Sequence, residues 1–502
     1  MSAREPGKND APGPIPFVGS EIGSLEAVVV HTPGREIESM TPRTAQEVLY
    51  NDIIPLGVVK DEHRKLKAFL ETVSNVYEIT DLLARSLADS DVARGLIDQA
   101  TAGTPAEARR EELSSLSPVE LAATLVHGLP STGASLESVL SGRQYDLPPI
   151  PNLYFMRDSS MVLGEQVAIG AMAHGVRVRE AQMLRAVFSS RAPLAFDGAS
   201  GFDGEASRSG AGTANPGGAT TPGGATNPGG ATTPGGATTP GGATTPGGAT
   251  TPGGATTPGG ATTPGAATPL RGPGVARASV APPPPDIRLE GGDVLVVAEN
   301  LLLIGVSERT SAAAVDQLAA NLVAARGRPM TILAAVLPRE RSTIHLDMIF
   351  TMVDRATFLA YEPLVTGPGR VEVYRMDVAP DRAARITHTE GIVPALAGLG
   401  IDADLIRCGG QNRVVREREQ WLSAANVFAF APGKIIAYDC NTATLDEFAA
   451  AGFAVVPVGE FAAGNRRASD DDRLVVATPG VNLARGGGGP RCMTLPVRRT
   501  AQ

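Results

Sequence analysis

The sequence predicts an α/β protein arranged as a closed, pseudo-symmetric ring of five similar units. A pattern of strand, strand, helix and strand recurs along the chain. The pattern is broken in only two places, once by a helix-rich stretch and once by a low-complexity tract. Repeated units of this kind place functional residues on loops, and here the loops are expected to converge near the axis of the ring.

Apolar hairpins with a turn dipeptide at their centre define the units. They are predicted over residues 159–172, 293–306, 345–361 and 426–438. Helices are predicted after them at residues 177–188, 310–324, 381–399 and 444–451. Further strands are expected at residues 331–337, 403–406 and 453–458. A weaker unit opens the chain, with strands at 26–31 and 76–79 and a helix around 61–72.

Two insertions separate the parts of the ring. Residues 81–147 are rich in Ala, Leu, Glu and Arg and predict a helical insertion, with helix starts at Thr104-Pro105 and Ser117-Pro118. We expect it to cover or flank the ring rather than to bind a partner by itself. Residues 196–285 include eight consecutive copies of (Thr/Asn)-Pro-Gly-Gly-Ala-Thr. No side chain of this unit can form a core, so the tract predicts a disordered linker, with a repeat-built binding module as the rival interpretation. The ring is then assigned to residues 20–80, 148–195 and 286–500.

Composition and charge exclude several classes of protein. The chain has 44 Lys and Arg against 53 Asp and Glu, a formal net charge of −9, which argues against a nucleic-acid partner. No apolar run approaches the roughly 18 to 20 residues of a membrane-spanning helix, so no membrane partner is expected. The N-terminal residues lack the apolar core of a signal peptide. Three cysteines in a chain of 502 residues fit reduced thiols, and together these features predict a soluble, cytoplasmic protein.

Acidic residues and a histidine stand where predicted strands begin. Asp158 precedes the first hairpin, and Glu290 precedes the second, followed by two glycines that let the backbone approach another group closely. His345 and Asp347 open the third hairpin. Each of these residues alone could be structural. Residues two apart on a strand face the same side, however, so His345 and Asp347 are expected to point together.

A cysteine near the C-terminus supplies a candidate nucleophile. Cys492 follows four consecutive glycines, with Arg485 and Arg491 upstream, and positive charge favours the thiolate form of cysteine. The glycines are also expected to prevent the close packing typical of an inert cysteine. Cys408 and Cys440 fit structural positions better. The six histidines show no spacing typical of metal ligands, so zinc is not expected, and no phosphate-binding glycine loop is present.

One thiol, one imidazole and three carboxylates suit a small, planar, cationic substrate. A guanidinium group has a pKa of roughly 12 to 13 and is therefore charged on arrival, and carboxylates can accept its N–H groups in pairs. The same cation would lower the pKa of a neighbouring thiol.

The motifs that carry these residues resemble those of the arginine deiminase family of guanidine-modifying enzymes. They lie at residues 152–158, 290–293, 345–350 (His-Leu-Asp-x-x-Phe) and 492–494 (Cys-Met-Thr), with further matches at 24–34, 418–421 and 425–426. The resemblance covers roughly residues 20–195 and 286–500. It implies a five-bladed, pentein-like α/β propeller with a helical insertion.

The resemblance also implies hydrolysis of L-arginine to L-citrulline and ammonia without a cofactor. Cys492 would attack the guanidinium carbon and form a covalent amidino-thioether. His345 would protonate the departing ammonia and then activate the hydrolytic water. Asp158 and Asp347 would hold the guanidinium nitrogens, while Glu290 would pair with His345.

Further positions would contact the amino-acid end and the stem of the substrate. The resemblance assigns this role to Asn152, Phe155, Arg177 and Arg309. Many family members carry an arginine five residues before the cysteine to hold the substrate carboxylate, and this chain has Gly487 there. Either Arg485 replaces that arginine by a different path of the loop, or free arginine is not the best substrate.

Two alternatives remain open at this point. One is another guanidino-compound hydrolase or an amidinotransferase of the same superfamily. The other is a non-catalytic binding protein that kept the fold. The sequence also leaves open whether the chain forms a homo-oligomer.

Overall fold

The computed structural model describes residues 15–50, 52–133, 136–189 and 286–501. The strands are β1 (Leu25–Val30), β2 (Asn75–Glu78), β3 (Leu129–Pro130), β4 (Tyr145–Leu147), β5 (Ser160–Leu163), β6 (Gln166–Ile169), β7 (Val294–Ala298), β8 (Leu301–Val306), β9 (Met330–Val336), β10 (Phe350–Met352), β11 (Thr357–Ala360), β12 (Val373–Ala379), β13 (Arg382–Thr389), β14 (Asp404–Arg407), β15 (Phe428–Ala431), β16 (Lys434–Tyr438), β17 (Ala454–Pro457), β18 (Leu474–Thr478) and β19 (Leu495–Arg499). The prediction of a disordered linker over 196–285 lies entirely outside the described residues.

The α-helices lie between these strands and are mostly short. They are α1 (Arg35–Glu38), α2 (Leu56–Val73), α3 (Ile79–Ser86), α4 (Ser90–Thr101), α5 (Arg110–Ser114), α6 (Pro118–His127), α7 (Leu136–Ser141), α8 (Met156–Ser159), α9 (Val178–Ser189), α10 (Ala312–Arg326), α11 (Glu362–Val365), α12 (Ile392–Ala397), α13 (Arg413–Trp421), α14 (Thr442–Ala450), α15 (Val458–Ala462) and α16 (Val481–Arg485). None of the described helices is both long enough and apolar enough to cross a membrane.

The strands pair into small sheets, most of them mixed. Written with neighbouring strands side by side, the sheets are β19-β1-β2, β5-β6, β13-β12-β9-β8-β7, β10-β11-β14, β15-β16-β18-β17 and the short pair β3-β4. In the first sheet, β1 pairs antiparallel with β19 and parallel with β2. The two ends of the chain therefore meet in one sheet, and the segment just before β19 is anchored against the N-terminal strand.

The four predicted hairpins are confirmed as antiparallel pairs. They are β5-β6, β7-β8, β10-β11 and β15-β16. Gly164 and Gly433, with φ of 59° and 67°, occupy turn positions that only glycine adopts without strain. The helix and the parallel strand predicted after the second hairpin are present as α10 and β9, and β9 pairs with β8. Local apolar patterning was sufficient to locate these elements.

The helix predicted over residues 381–399 was wrong for its first half. Residues Arg382–Thr389 form β13, which pairs antiparallel with β12 at the edge of the largest sheet, and only Ile392–Ala397 is helical. Every residue of β13 is exposed or half-exposed, so the strand shows no alternation of apolar and polar residues. Its Ala and Arg content favours a helix locally, and pairing with β12 overrides that preference.

The stretch 81–147 is largely helical, as predicted. Helix α6 begins at Pro118 with Ser117 as its N-cap, and Glu120 completes a capping box. A 3₁₀ helix begins at Pro105, after Thr104. Both predicted starts are thus confirmed. The role of this stretch as a cover for the ring stays a prediction.

Candidate active site

A cavity of about 320 Å³ collects most of the predicted site residues. Its lining includes Asn152, Phe155, Asp158, Arg177, Arg309, His345, Arg485 and Cys492. The remaining two predicted residues, Glu290 and Asp347, lie directly behind it. Glu290 bonds to His345, and Asp347 approaches the Cys492 sulfur. Residues from both halves of the chain thus form one site.

Cys492 is buried in a tightly packed loop, contrary to the expectation drawn from its glycines. Its relative exposure is 4%. A Cβ atom at Gly488 would lie 2.4 Å from the Phe155 ring, and one at Gly489 would lie 2.6 Å from the Asn426 carbonyl oxygen. The glycines therefore allow closer packing rather than preventing it, because they carry no side chain.

His345 is held by a carboxylate and by the turn that follows it. Its Nε2 lies 2.9 Å from Glu290 Oε2, and its Nδ1 lies 3.7 Å from Asp158 Oδ1. Asp293 accepts a hydrogen bond from the backbone N–H of Leu346 and so fixes the turn. A Cβ atom at Gly292 would lie 2.4 Å from the imidazole, which gives the predicted close approach at the double glycine its physical reason.

The strand argument for His345 and Asp347 was wrong. Residues Leu346–Met348 form a 3₁₀ turn, and β10 begins only at Phe350. Both side chains nevertheless reach the site, because the 3₁₀ turn, and not the alternation of a strand, sets their directions. Asp347 is fully buried and contacts the thiol, while His345 lines the cavity.

Neighbouring charges favour the imidazolium form of His345. Burial opposes the charged ring, but Asp158, the hydrogen bond to Glu290 and the charge of Asp293 outweigh it and raise the pKa of His345 to about 9. Burial likewise opposes ionisation of Glu290, yet His345 and Arg309 lower its pKa below the usual value. His345 is therefore a proton donor at neutral pH.

Two carboxylates beside the thiol each use one oxygen and leave the other without a hydrogen-bond partner among the described residues. Asp158 Oδ2 accepts from Arg177 Nη1 at 2.7 Å, and Asp347 Oδ2 accepts from Arg491 Nη1 at 2.7 Å. The two Oδ1 atoms are buried and make no hydrogen bond within the described parts of the chain. Buried carboxylate oxygens of this kind require a donor, preferably a cationic one.

The predicted activation of the thiol by nearby arginines was wrong for the structure without substrate. Burial raises the pKa of Cys492 well above its usual value, and the charges of Asp347 and Asp158 raise it further. Arg491 is neutralised by Asp347 and Glu21. Arg485 lies at the cavity rim, where it pairs with Asp52. The thiol therefore stays protonated until another cation enters the site.

The remaining predicted residues line the cavity in different states. Asn152 Nδ2 donates to the Val48 carbonyl at 2.9 Å. Arg309 bonds to Glu290 Oε2 at 3.4 Å and lies largely buried. Each nitrogen of the Arg177 guanidinium bonds to a protein carboxylate: Nε and Nη2 donate to Glu180, and Nη1 donates to Asp158.

Asn426 and Arg491 are site residues whose roles the sequence did not show. Asn426 stands in one of the matched motifs, and its side chain bonds to the sulfur and the backbone of Cys492. The sequence indicates only that Arg491 carries a positive charge. In the structure its side chain is buried between Asp347 and Glu21, the latter 470 positions away in the chain. No local signal identifies partners at such a separation.

Three ligand-type side chains come close enough to hold a metal ion. Donor atoms of Asp158, Glu290 and His345 lie within 4.8 Å of one another. The guanidinium groups of Arg177 and Arg309 already contact these carboxylates. Two positive charges at this distance disfavour a divalent cation, so the cluster fits a charge-balanced proton-transfer site better than a metal centre.

Comparisons with known proteins agree with the motifs. A family model described as arginine deiminase matches residues 46–200 and 281–499. An arginine deiminase of Listeria innocua is 27% identical, covering 96% of this chain and 98% of its own length. One of Latilactobacillus sakei is 24% identical, with 96% and 98% covered. Among solved structures, an amidinotransferase from Microseira wollei is similar with 12% identity, a TM-score of 0.43, and 97% and 98% of the two chains covered.

Proposed function

Since the chain belongs to the arginine deiminase family, we propose that it hydrolyses L-arginine to L-citrulline and ammonia through a covalent intermediate on Cys492. The observation that carries this proposal is a pair of buried oxygens, Asp158 Oδ1 and Asp347 Oδ1, that make no hydrogen bond within the described residues and lie near a buried thiol. A planar cation with several N–H donors satisfies both oxygens at once. The guanidinium group of arginine has this shape and charge.

Substrate binding itself activates the nucleophile. Burial raises the pKa of Cys492 above its usual value, and the charges of the two aspartates raise it further. A guanidinium cation between them cancels their effect and places its own positive charge next to the sulfur, which lowers the thiol pKa. The thiol proton then passes to solvent water, and the thiolate forms only when its target carbon is in place.

His345 serves both chemical steps. The thiolate attacks the guanidinium carbon, and the C–N bond breaks as imidazolium gives its proton to the departing nitrogen, releasing ammonia. The pKa of about 9 supports this role, because His345 carries the required proton at neutral pH. The neutral imidazole then takes a proton from water, which attacks the amidino carbon. The C–S bond breaks, the departing sulfur takes the extra proton of the protonated product, neutral citrulline is released, and Cys492 and His345 return to their starting states.

Charges at the cavity rim bind the other end of the substrate. Arg309 and Arg485 line the cavity and offer positive charge to the α-carboxylate. Each nitrogen of the Arg177 guanidinium bonds to Glu180 or Asp158, so we assign Arg177 to holding Asp158 in position rather than to binding the carboxylate. Phe155 and Asn152 line the passage for the aliphatic stem.

The five-bladed, pentein-like propeller belongs to the same proposal. Five sheets, those containing β1, β5, β7, β10 and β15, correspond to the five predicted units. The isolated bridges Phe17–Arg498 and Val18–Gly164 connect the sheet of β1 with the hairpin β5-β6, which supports placing these two sheets side by side in the proposed ring. Loops that precede hairpin strands carry Asp158, Glu290 and His345, as expected if five blades turn these loops towards one axis.

A citrulline assay on purified full-length protein tests the proposal directly. We expect turnover of arginine by the native enzyme and a covalent adduct on Cys492 detectable by mass spectrometry after rapid quenching. Cys492→Ser should abolish both, because a hydroxyl is a far weaker nucleophile in this site. Full turnover by Cys492→Ser would refute the covalent route.

Gly487 gives one specific reason to test a second substrate class. This position lacks the carboxylate-binding arginine that many family members carry, which favours a guanidino compound without a carboxylate, such as agmatine. Arg309→Ala should raise KM for arginine strongly and leave KM for agmatine almost unchanged. Faster turnover of agmatine than of arginine by the native enzyme would favour the second class.

A further inference from the structure

Asn426 makes two reciprocal hydrogen bonds with the candidate nucleophile. Its Nδ2 donates to Cys492 Sγ at 3.0 Å, and its Oδ1 accepts from the Cys492 backbone N–H at 3.0 Å. Asn426 has no exposed surface. The amide therefore contacts the residue that carries the chemistry from a fixed, water-free position.

The backbone of Cys492 fixes which way round the amide stands. A backbone N–H can only donate, so it must face the amide oxygen of Asn426. The amide NH₂ group is then left pointing at the sulfur. The opposite orientation would place an NH₂ group against an N–H and lose the hydrogen bond to the backbone.

The donor has a particular value because Asp347, another polar neighbour of the sulfur, is acidic. Asp347 Oδ2 lies 3.7 Å from Sγ, and its charge disfavours the thiolate. A donor N–H stabilises an anion more than a neutral thiol, since hydrogen bonds to charged groups are the stronger ones. Asn426 is thus poised to favour the charged form of Cys492.

The backbone between α13 and β15 holds Asn426 in this position. Helix α13 ends at Trp421, and Ser423 adopts a φ of 59°, a conformation that is unfavourable for a residue other than glycine. The backbone N–H of Asn426 donates to the Ser423 carbonyl at 3.0 Å and closes the turn. Gly489 leaves the room that the Asn426 backbone needs. Strain of this kind, held by surrounding packing, is typical of functional sites.

We propose that Asn426 is a catalytic residue that stabilises the Cys492 thiolate through an N–H···S hydrogen bond. It acts when the thiolate attacks the substrate carbon and again when the C–S bond breaks and the negative charge returns to sulfur. The inference rests on the proposed function for its place in the reaction, but the hydrogen bond can be tested on the thiol alone.

Asn426→Asp is the most informative variant. It keeps the size of the side chain and the oxygen that accepts from the Cys492 N–H, but it replaces the donor with an anionic oxygen. The matched control is Asn412→Asp, in the N-cap of α13, whose Oδ1 accepts from the backbone N–H groups of Val414 and Val415. Aspartate is also a good N-cap, so the control should fold normally and keep full activity.

Two readouts separate a role in catalysis from a structural one. The pH dependence of Cys492 alkylation by iodoacetamide, with ultraviolet absorbance of the thiolate as a second measure and Cys492→Ser as the blank, reports the thiol pKa without any turnover. We expect Asn426→Asp to shift this profile upward by about one pH unit or more and to lower kcat about 100-fold with a smaller change in KM. The control should change neither.

An unchanged alkylation profile in a folded Asn426→Asp enzyme would overturn the inference, whatever happens to activity. If this variant does not fold, Asn426→Ala takes its place, since it removes the donor without adding charge and must shift the profile in the same direction. A shifted profile in an enzyme whose native form makes no citrulline would support the hydrogen bond and refute the proposed function, so the two failures are distinguishable.

Discussion

Replacing Gly488 with alanine should disable the site by displacing its nucleophile. A Cβ atom there would lie 2.4 Å from Cε1 and 2.8 Å from Cδ1 of Phe155, and 3.1 Å from the Cβ of Cys492. Ordinary contact begins at 3.4 Å, so the closest atom must move by about 1 Å. The backbone of Gly488 has no left-handed φ, and the effect is therefore one of space.

The strain falls on the loop that carries Cys492. Phe155 cannot retreat, because it is buried and its ring centroid lies 4.1 Å from that of Tyr154. A misplacement of about 1 Å at a reacting centre costs about 100-fold in rate. Overpacking of this size also costs about 1 to 3 kcal/mol of unfolding free energy.

Steady-state citrulline formation and thermal unfolding measure the two effects separately. We expect Gly488→Ala to lower kcat/KM about 100-fold. Gly459→Ala is the matched control, because a Cβ atom at Gly459, in helix α15, meets no atom within 4 Å. A Gly488→Ala enzyme with native kcat/KM would show that the loop yields freely and that its packing does not position the sulfur.

Three further outcomes are expected. Burial of His31 opposes its charged form, but Glu36 and Glu78 outweigh burial and raise its pKa to about 9. The charged form therefore stabilises the fold by about 3 kcal/mol below pH 6.5. This contribution is lost as pH rises through 9, and unfolding experiments should show a steeper loss of stability over that range in the native protein than in His31→Gln. Arg485→Ala should raise KM for arginine with kcat little changed, whereas Asp52→Ala, which frees Arg485 from its ion pair, should not raise KM; equal KM in all three enzymes would exclude Arg485 from carboxylate binding. Deletion of residues 215–268 should leave kcat and the melting temperature nearly unchanged, because the repeat lacks side chains that can build a core, and a large loss of either would show that the tract packs against the rest of the protein.

The sequence predicted elements whose signals are local. The hairpin β7-β8 and the helix α10 follow from short apolar runs, turn residues and periodicity, each of which spans a few residues. Strand β13 was missed because its side chains are exposed and its pairing partner decides its conformation. Local propensity cannot report a contact that forms only when the chain closes on a neighbouring strand.

The chemical identity of the site was likewise available from residue types and motif order. A thiol, an imidazole and three carboxylates, in motifs that resemble those of one family, indicated a guanidinium substrate, and the cavity contains or adjoins all of them. The protonation states of those groups could not be predicted from the sequence. Arg485 and Arg491 stand close to Cys492 in sequence and both pair with carboxylates, but burial of the thiol and the charges of Asp347 and Asp158 raise its pKa.

By itself, the sequence determined which chemical groups this protein possesses and where most of its helices and strands begin, because those properties depend on residues a few positions apart. Only the tertiary structure decided that Cys492 is buried, that Asn426 donates to it and that Arg491 joins Asp347 to Glu21. Burial, pKa and hydrogen-bond partners depend on groups hundreds of residues apart in the chain, and they are set only when the sheets that carry those groups pack together.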